Sequence, residues 1–163
     1  RSVMPTNLYG ENDNFDLDQS HVIPALIKKI HISKINQYNE VIIWGSGKAK
    51  RDFLYVDDIA RLVCELSRIE LSMVNLNVAT GQSIMVANIV EQVFSIFGNR
   101  CRVEEGKSNG RLCHLTFDIS RLRNLLPALA MTPLLEPCTR GCPRLSQAFP
   151  FSDTPSDRHR RAA

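Results

Sequence analysis

Arg51-Asp-Phe-Leu-Tyr-Val-Asp-Asp-Ile-Ala-Arg-Leu-Val-Cys-Glu-Leu66, with Val74-Asn-Leu-Asn-Val78 shortly after it, reads as strand, helix, strand. Asp52 to Val56 is a short extended run of aromatic and branched residues. Ile59, Leu62, Val63 and Leu66 then recur at the 3.6-residue period of a helix, whose start Asp57 or Asp58 is expected to cap at the positive end of the dipole. Val74 to Val78 alternates apolar and polar positions, as a half-buried strand does. A strand that leads through a helix to another strand is the signature of α/β architecture.

Working outward, the pattern repeats. Before this unit, Arg1 to Pro5 reads as the end of a buried strand that runs into an Asn-, Asp- and Gly-rich loop, Thr6 to Gln19. Val22, Ile23, Leu26, Ile27 and Ile30 predict a helix over about Ser20 to Ile35. Val41 to Trp44 is a strand stopped by Gly45-Ser-Gly47. After the unit, Ala79-Thr-Gly81 turns the chain into a helix capped by Ser83, with Ile89, Val90, Val93, Phe94 and Phe97 as its buried stripe and Gly98 as its C-cap. Arg102 to Glu104 and Leu115 to Phe117 are weaker strands, and a short helix covers about Ile119 to Leu126. Six of the eight prolines lie at or beyond Pro127, where neither period persists, so regular structure is expected to stop near Leu126.

The 163 residues, 44% of them hydrophobic, suffice for one modest core. The net charge is +3. Five Arg against Glu136, Asp153 and Asp157 place most of that surplus in the last 28 residues, and no basic stripe interleaved with aromatics exists, which argues against nucleic-acid binding. No segment resembles a signal peptide or a membrane span, and a cytoplasmic location is expected. The five cysteines are odd in number and irregularly spaced, which favours free thiols over a disulfide framework or a zinc site. Gly45-Ser-Gly-Lys48 is no phosphate loop, since Ile42 stands where the first Gly belongs and Ala49 where Ser or Thr should hold magnesium. Asp57 and Asp58, adjacent at a helix start, are structural rather than a catalytic pair.

Four ordered blocks then become specific: Arg1-Ser-Val-Met-Pro-Thr-Asn-Leu-Tyr-Gly10, Ser20-His-Val-Ile-Pro-Ala-Leu26, Val41-Ile-Ile-Trp-Gly-Ser-Gly47 and Arg51-Asp-Phe-Leu-Tyr-Val-Asp-Asp58. Together they resemble the GDP-L-fucose synthase family of extended short-chain dehydrogenase/reductases over about residues 1–126. The resemblance implies the substrate-binding portion of a Rossmann-type α/β enzyme, with the cofactor half expected to be missing from this chain. It implies an NADP-dependent oxidoreductase, a homodimer, that epimerises GDP-4-keto-6-deoxy-D-mannose at C3 and C5 and then reduces C4. His21 corresponds to the acid/base histidine, a residue type suited to proton exchange near neutrality. Pro5, Thr6, Asn7 and Leu8, with His21, match the segment that lines the nicotinamide end of the cofactor. Lys29, Trp44 and Arg51 match contacts to the GDP-sugar, where cations suit a diphosphate. No metal is implied.

The sequence also departs from the family. Asn109 stands where an acidic substrate contact is usual, and Arg111-Leu-Cys-His114 replaces a Thr-Pro-Arg-Lys run. Residues 127–163 match nothing and form a divergent, irregular tail. Tyr9 and Tyr55 lack a lysine four residues on, so neither belongs to the family's Tyr-x-x-x-Lys pair; the resemblance implies that this pair and the catalytic Ser lie upstream of Arg1, and the chain alone is expected to be inactive. The rival reading is a non-catalytic nucleotide-sugar-binding or dimerisation module.

Overall fold

The computed structural model describes residues 2–43, 45–70, 75–98, 101–106 and 114–136. Trp44, Asn109, Cys113, Cys138 and Cys142 lie outside the described residues. Seven strands and four helices run in the order β1 (Ser2–Pro5), β2 (Asn7–Tyr9), α1 (Val22–Ile35), β3 (Glu40–Ile43), β4 (Lys50–Tyr55), α2 (Val56–Leu66), β5 (Asn75–Val78), β6 (Ser83–Met85), α3 (Val86–Phe97), β7 (Arg102–Glu105) and α4 (Ser120–Leu125).

The strands pair mostly in parallel: β1 with β5, β2 with β4, and β3 with β7, while β6 runs antiparallel to β4. Thr6 is the point at which the chain changes sheets. Its backbone N–H donates to the Val78 carbonyl at 3.0 Å, and its side-chain hydroxyl donates to the Asp52 carbonyl at 2.9 Å. One residue later, Asn7 opens β2 opposite Phe53. The segment read as a loop from Thr6 onward therefore begins with a short strand; its polar residues lack the alternation that would have announced it. β1 is also more exposed than expected, with Met4 52% accessible, and among the described residues it pairs with β5 alone.

Two apolar cores lie on either side of this arrangement. The first gathers Ile23, Leu26, Ile27 and Ile30 of α1 with Ile89, Val90, Val93 and Phe94 of α3, over Val41 and Ile43 of β3. The second joins Leu62 and Leu66 of α2 to Leu122 of α4 over Leu54, Leu76 and Val78. Burial of each such side chain is worth about 1.5–3 kcal/mol, which explains why short helices hold here. Pro24 sits in the first turn of α1, where no intrahelical donor is lost. Gly98 adopts φ 61° as the left-handed cap of α3.

Three local expectations change. Tyr55, not Asp57 or Asp58, stands at the N-cap of α2, and no side chain caps it. The carboxylate of Asp58 instead accepts from Thr132 N–H at 2.7 Å, Thr132 Oγ1 at 3.0 Å and Arg61 Nη2 at 2.9 Å, because the chain beyond α4 folds back over the first turn of α2. Ser83 lies in β6, and the N-cap of α3 is Met85, again without a side-chain bond. Leu115 to Phe117 forms no strand; only an isolated parallel bridge, His114 to Lys50, ties this extended segment to β4. No further helix or strand follows Leu125 among the described residues, yet Leu129 and Met131 pack on the second core and Leu135 is buried in the first.

Candidate functional site at the carboxyl end of the first strand

The change of sheet at Thr6 creates a crevice. Where neighbouring strands of an α/β protein diverge, no side chain fills the space beyond their carboxyl ends, and ligands bind there. An open cleft of about 520 Å³ occupies this position, and Pro5, Thr6, Asn7, Leu8 and His21 all line it.

The backbone around it is held by Asp52, which is fully buried. Its carboxylate accepts Thr80 N–H at 3.1 Å, Thr80 Oγ1 at 2.7 Å and Gly81 N–H at 2.8 Å, fastening the turn after β5 to β4. Its main-chain carbonyl accepts both Thr6 Oγ1 and, at 2.8 Å, Asn7 Nδ2. A carbonyl only accepts, so this bond fixes which way the Asn7 amide faces, and Oδ1 is left as an acceptor. Thr6, 7% accessible, is thus a structural pin as well as a wall of the cleft.

His21 stands at the N-cap of α1 with an extended backbone (φ −68°, ψ 171°) and no capping bond from its ring. The ring is exposed at the cleft, while the main chain is tied down through its carbonyl to Ala25 N–H at 3.0 Å. The hydroxyl of the neighbouring Ser20 is the one buried side-chain polar atom among the described residues without a hydrogen-bond partner. Glu11 and Asp13 make the rim acidic, and Leu8, Val56, Leu115 and Phe117 give it an apolar side. Gly10 also lines the cleft, and a Cβ there would clash with Val56 Cγ1.

Lys29 and Arg51 do not line this cleft. Lys29, on α1, is half-buried and donates from Nζ to the Ile42 carbonyl at 3.0 Å; burial pulls its ammonium below the ordinary lysine value. Arg51, on β4, donates from Nη1 to the Lys50 carbonyl at 2.9 Å. Gly45 and Gly47 have φ of 69° and 68°, the turn expected of them, and neither belongs to the cleft. Sequence reasoning passed over Asp52, Leu115 and Phe117. Asp52 carried a signal in its place within the Arg51–Asp58 block, whereas the two apolar residues carried none.

Among the described residues, no helix is long and apolar enough to cross a membrane, and no cluster of three or more His, Cys, Asp or Glu could hold a metal ion. Cys64 and Cys101 are free.

Parallel strands joined through helices, with a crevice where the sheets part, define a Rossmann-like α/β portion. The fold is that of a GDP-L-fucose synthetase from Naegleria fowleri solved with NADP, at a TM-score of 0.76 and 24% identity, covering 84% of this chain and 42% of that one. Residues 1–76 match the NAD dependent epimerase/dehydratase family. It is similar to GDP-L-fucose synthase 1 of Arabidopsis thaliana, 41% identical over 97 residues, which are 60% of this chain and 30% of that protein. It is also similar to the GDP-L-fucose synthase of Escherichia coli K12, 37% identical over 136 residues, 77% of this chain and 42% of the relative. The chain thus spans less than half the length of these relatives.

Proposed function

We propose that this chain supplies the nucleotide-sugar side and the acid/base group of an NADP-dependent GDP-L-fucose synthase activity, acting on GDP-4-keto-6-deoxy-D-mannose. The observation that carries this reading is the convergence of Pro5, Thr6, Asn7, Leu8 and His21 on one cleft beyond β1. Relatives named GDP-L-fucose synthase support the substrate.

In this reading His21 takes and returns protons at C3 and C5, the carbons beside the C4 ketone. An exposed imidazole at a pinned helix start suits that task, because an imidazole carries both a donor and an acceptor nitrogen and can give and take a proton. The pinned Asn7 presents Oδ1 to an N–H donor such as the carboxamide of a nicotinamide, and Pro5 and Leu8 flank it with apolar surface; these residue types fit that end of NADP. The cofactor, when bound, supplies the hydride that reduces C4. Lys29, Trp44 and Arg51 hold the GDP-sugar through its diphosphate and base, with Asn109 as a further sugar contact. Residues 1–126 carry this nucleotide-sugar portion and 127–163 a terminal stretch, whose part up to Glu136 braces α2 and the first core. The protein works as a homodimer in the cytoplasm, a reading that light scattering and fractionation check.

Calorimetric titration with GDP-mannose or GDP-L-fucose tests the reading. Saturable binding is expected, weakened about tenfold or more in Lys29→Ala and in Arg51→Ala, in keeping with the loss of one charged hydrogen bond to phosphate. A folded chain that binds neither nucleotide sugar sinks it.

A further inference from the structure

The cleft has two unlike sides. Asn7, Glu11, Asp13 and His21 are polar, while Leu115 and Phe117 supply apolar surface to the same space. Leu115 is 40% accessible. Its segment is nevertheless anchored at successive residues. His114 bridges to Lys50, and Leu115 N–H donates to the Lys50 carbonyl at 3.2 Å. Thr116 Oγ1 donates to Ser83 Oγ at 3.3 Å, and the Asp118 carbonyl accepts Asn77 Nδ2 at 3.2 Å. In an extended chain, alternate residues share a face. The Thr116 side chain turns to Ser83, the Asp118 main chain is held by Asn77, and Leu115 and Phe117 line the cleft.

We propose that Leu115 and Phe117 are specificity-determining residues that receive the C6 methyl group of a 6-deoxy sugar. The inference rests on the function proposed above. Proton exchange at C5 brings that carbon to His21, and C5 carries C6, so the substituent at C6 must lie within the same cleft as the histidine. A methyl group there covers Leu115 and gains from leaving water, whereas a hydroxymethyl group places its hydroxyl against side chains that offer no hydrogen bond. The polar wall serves the ring hydroxyls and the reacting carbons, and the apolar wall distinguishes a deoxy sugar from its parent hexose.

The test compares GDP-6-deoxy-D-mannose with GDP-D-mannose, which differ only in the C6 hydroxyl, and uses free GDP as the reference, all by calorimetry on the protein and on Leu115→Ser and Leu115→Ile. Apolar pockets discriminate such pairs only modestly, so the deoxy sugar is expected to bind about tenfold more tightly. That ratio should fall to near one in Leu115→Ser and persist in Leu115→Ile, with GDP affinity and melting temperature unchanged in both. Leu115 is the residue to vary, because Phe117 also packs on the second core. Equal affinities in the parent protein, or a ratio that Leu115→Ser leaves intact, overturns the assignment. Sugars that bind no better than GDP itself also overturn it while leaving nucleotide recognition standing. A folded protein that binds none of the three refutes the proposed function and this inference with it.

Discussion

Pro5 to Leu8 reach the cleft as neighbours in sequence, across the junction of β1 and β2 that two sheets hold, whereas Lys29 and Arg51 lie on α1 and β4 and meet main-chain carbonyls away from it. The two regions carry charge differently as well. The cleft is braced by a buried carboxylate whose hydrogen bonds stay inside the protein, while Lys29 keeps a half-buried ammonium at a cost in hydration. A scaffold residue such as Asp52 spends its hydrogen bonds on the fold.

The sharpest way to separate scaffold from chemistry is His21→Asn. Asparagine is a favourable N-cap and the ring makes no capping bond, so the melting temperature should hold. Solvent-deuterium incorporation into GDP-4-keto-6-deoxy-D-mannose by the intact enzyme should fall about a thousandfold. Undiminished exchange removes His21 from the acid/base role. Asp52→Ala should do the reverse, because it strands two backbone N–H groups and a hydroxyl. A loss of about 3–4 kcal/mol in urea unfolding is expected, and a loss below about 1 kcal/mol shows that water replaces the carboxylate and that the cleft does not depend on it.

The smallest effect belongs to α1, on the cationic side of the comparison. Burial, and secondarily Lys34, lowers the pKa of His31 beneath the ordinary 6.5. Below pH 6.5 the unfolded chain therefore takes up a proton that the folded one still refuses, so stability falls as pH drops toward the lowered folded value. His31→Gln should flatten that part of the stability-pH curve while leaving neutral-pH binding of the nucleotide sugar alone. Parallel curves for variant and parent rule out His31 as its source.

Helices α1 and α3 were legible because their apolar residues recur every three or four positions, and Gly98 was legible because only a left-handed cap requires glycine there. β2 was not, since its residues Asn7, Leu8 and Tyr9 carry no alternation and their strand exists only because β4 lies beside them. The expected caps failed for a related reason. Asp57, Asp58 and Ser83 are good capping residues by type, but both helices start directly from strands, and Thr132, far along the chain, claims the carboxylate of Asp58.

By itself the sequence determined the α/β order of elements, a family resemblance and the residues to watch, because periodicity and short motifs are local properties of the chain. Tertiary structure alone decided that Pro5 to Leu8 share a cleft with His21, that Lys29 and Arg51 stand apart from it, and that Leu115 and Phe117 form its apolar wall. These are meetings of residues distant in sequence. They depend on which sheet each strand joins, and that choice was settled at Thr6 by hydrogen bonds to β4 and β5 that no local pattern records.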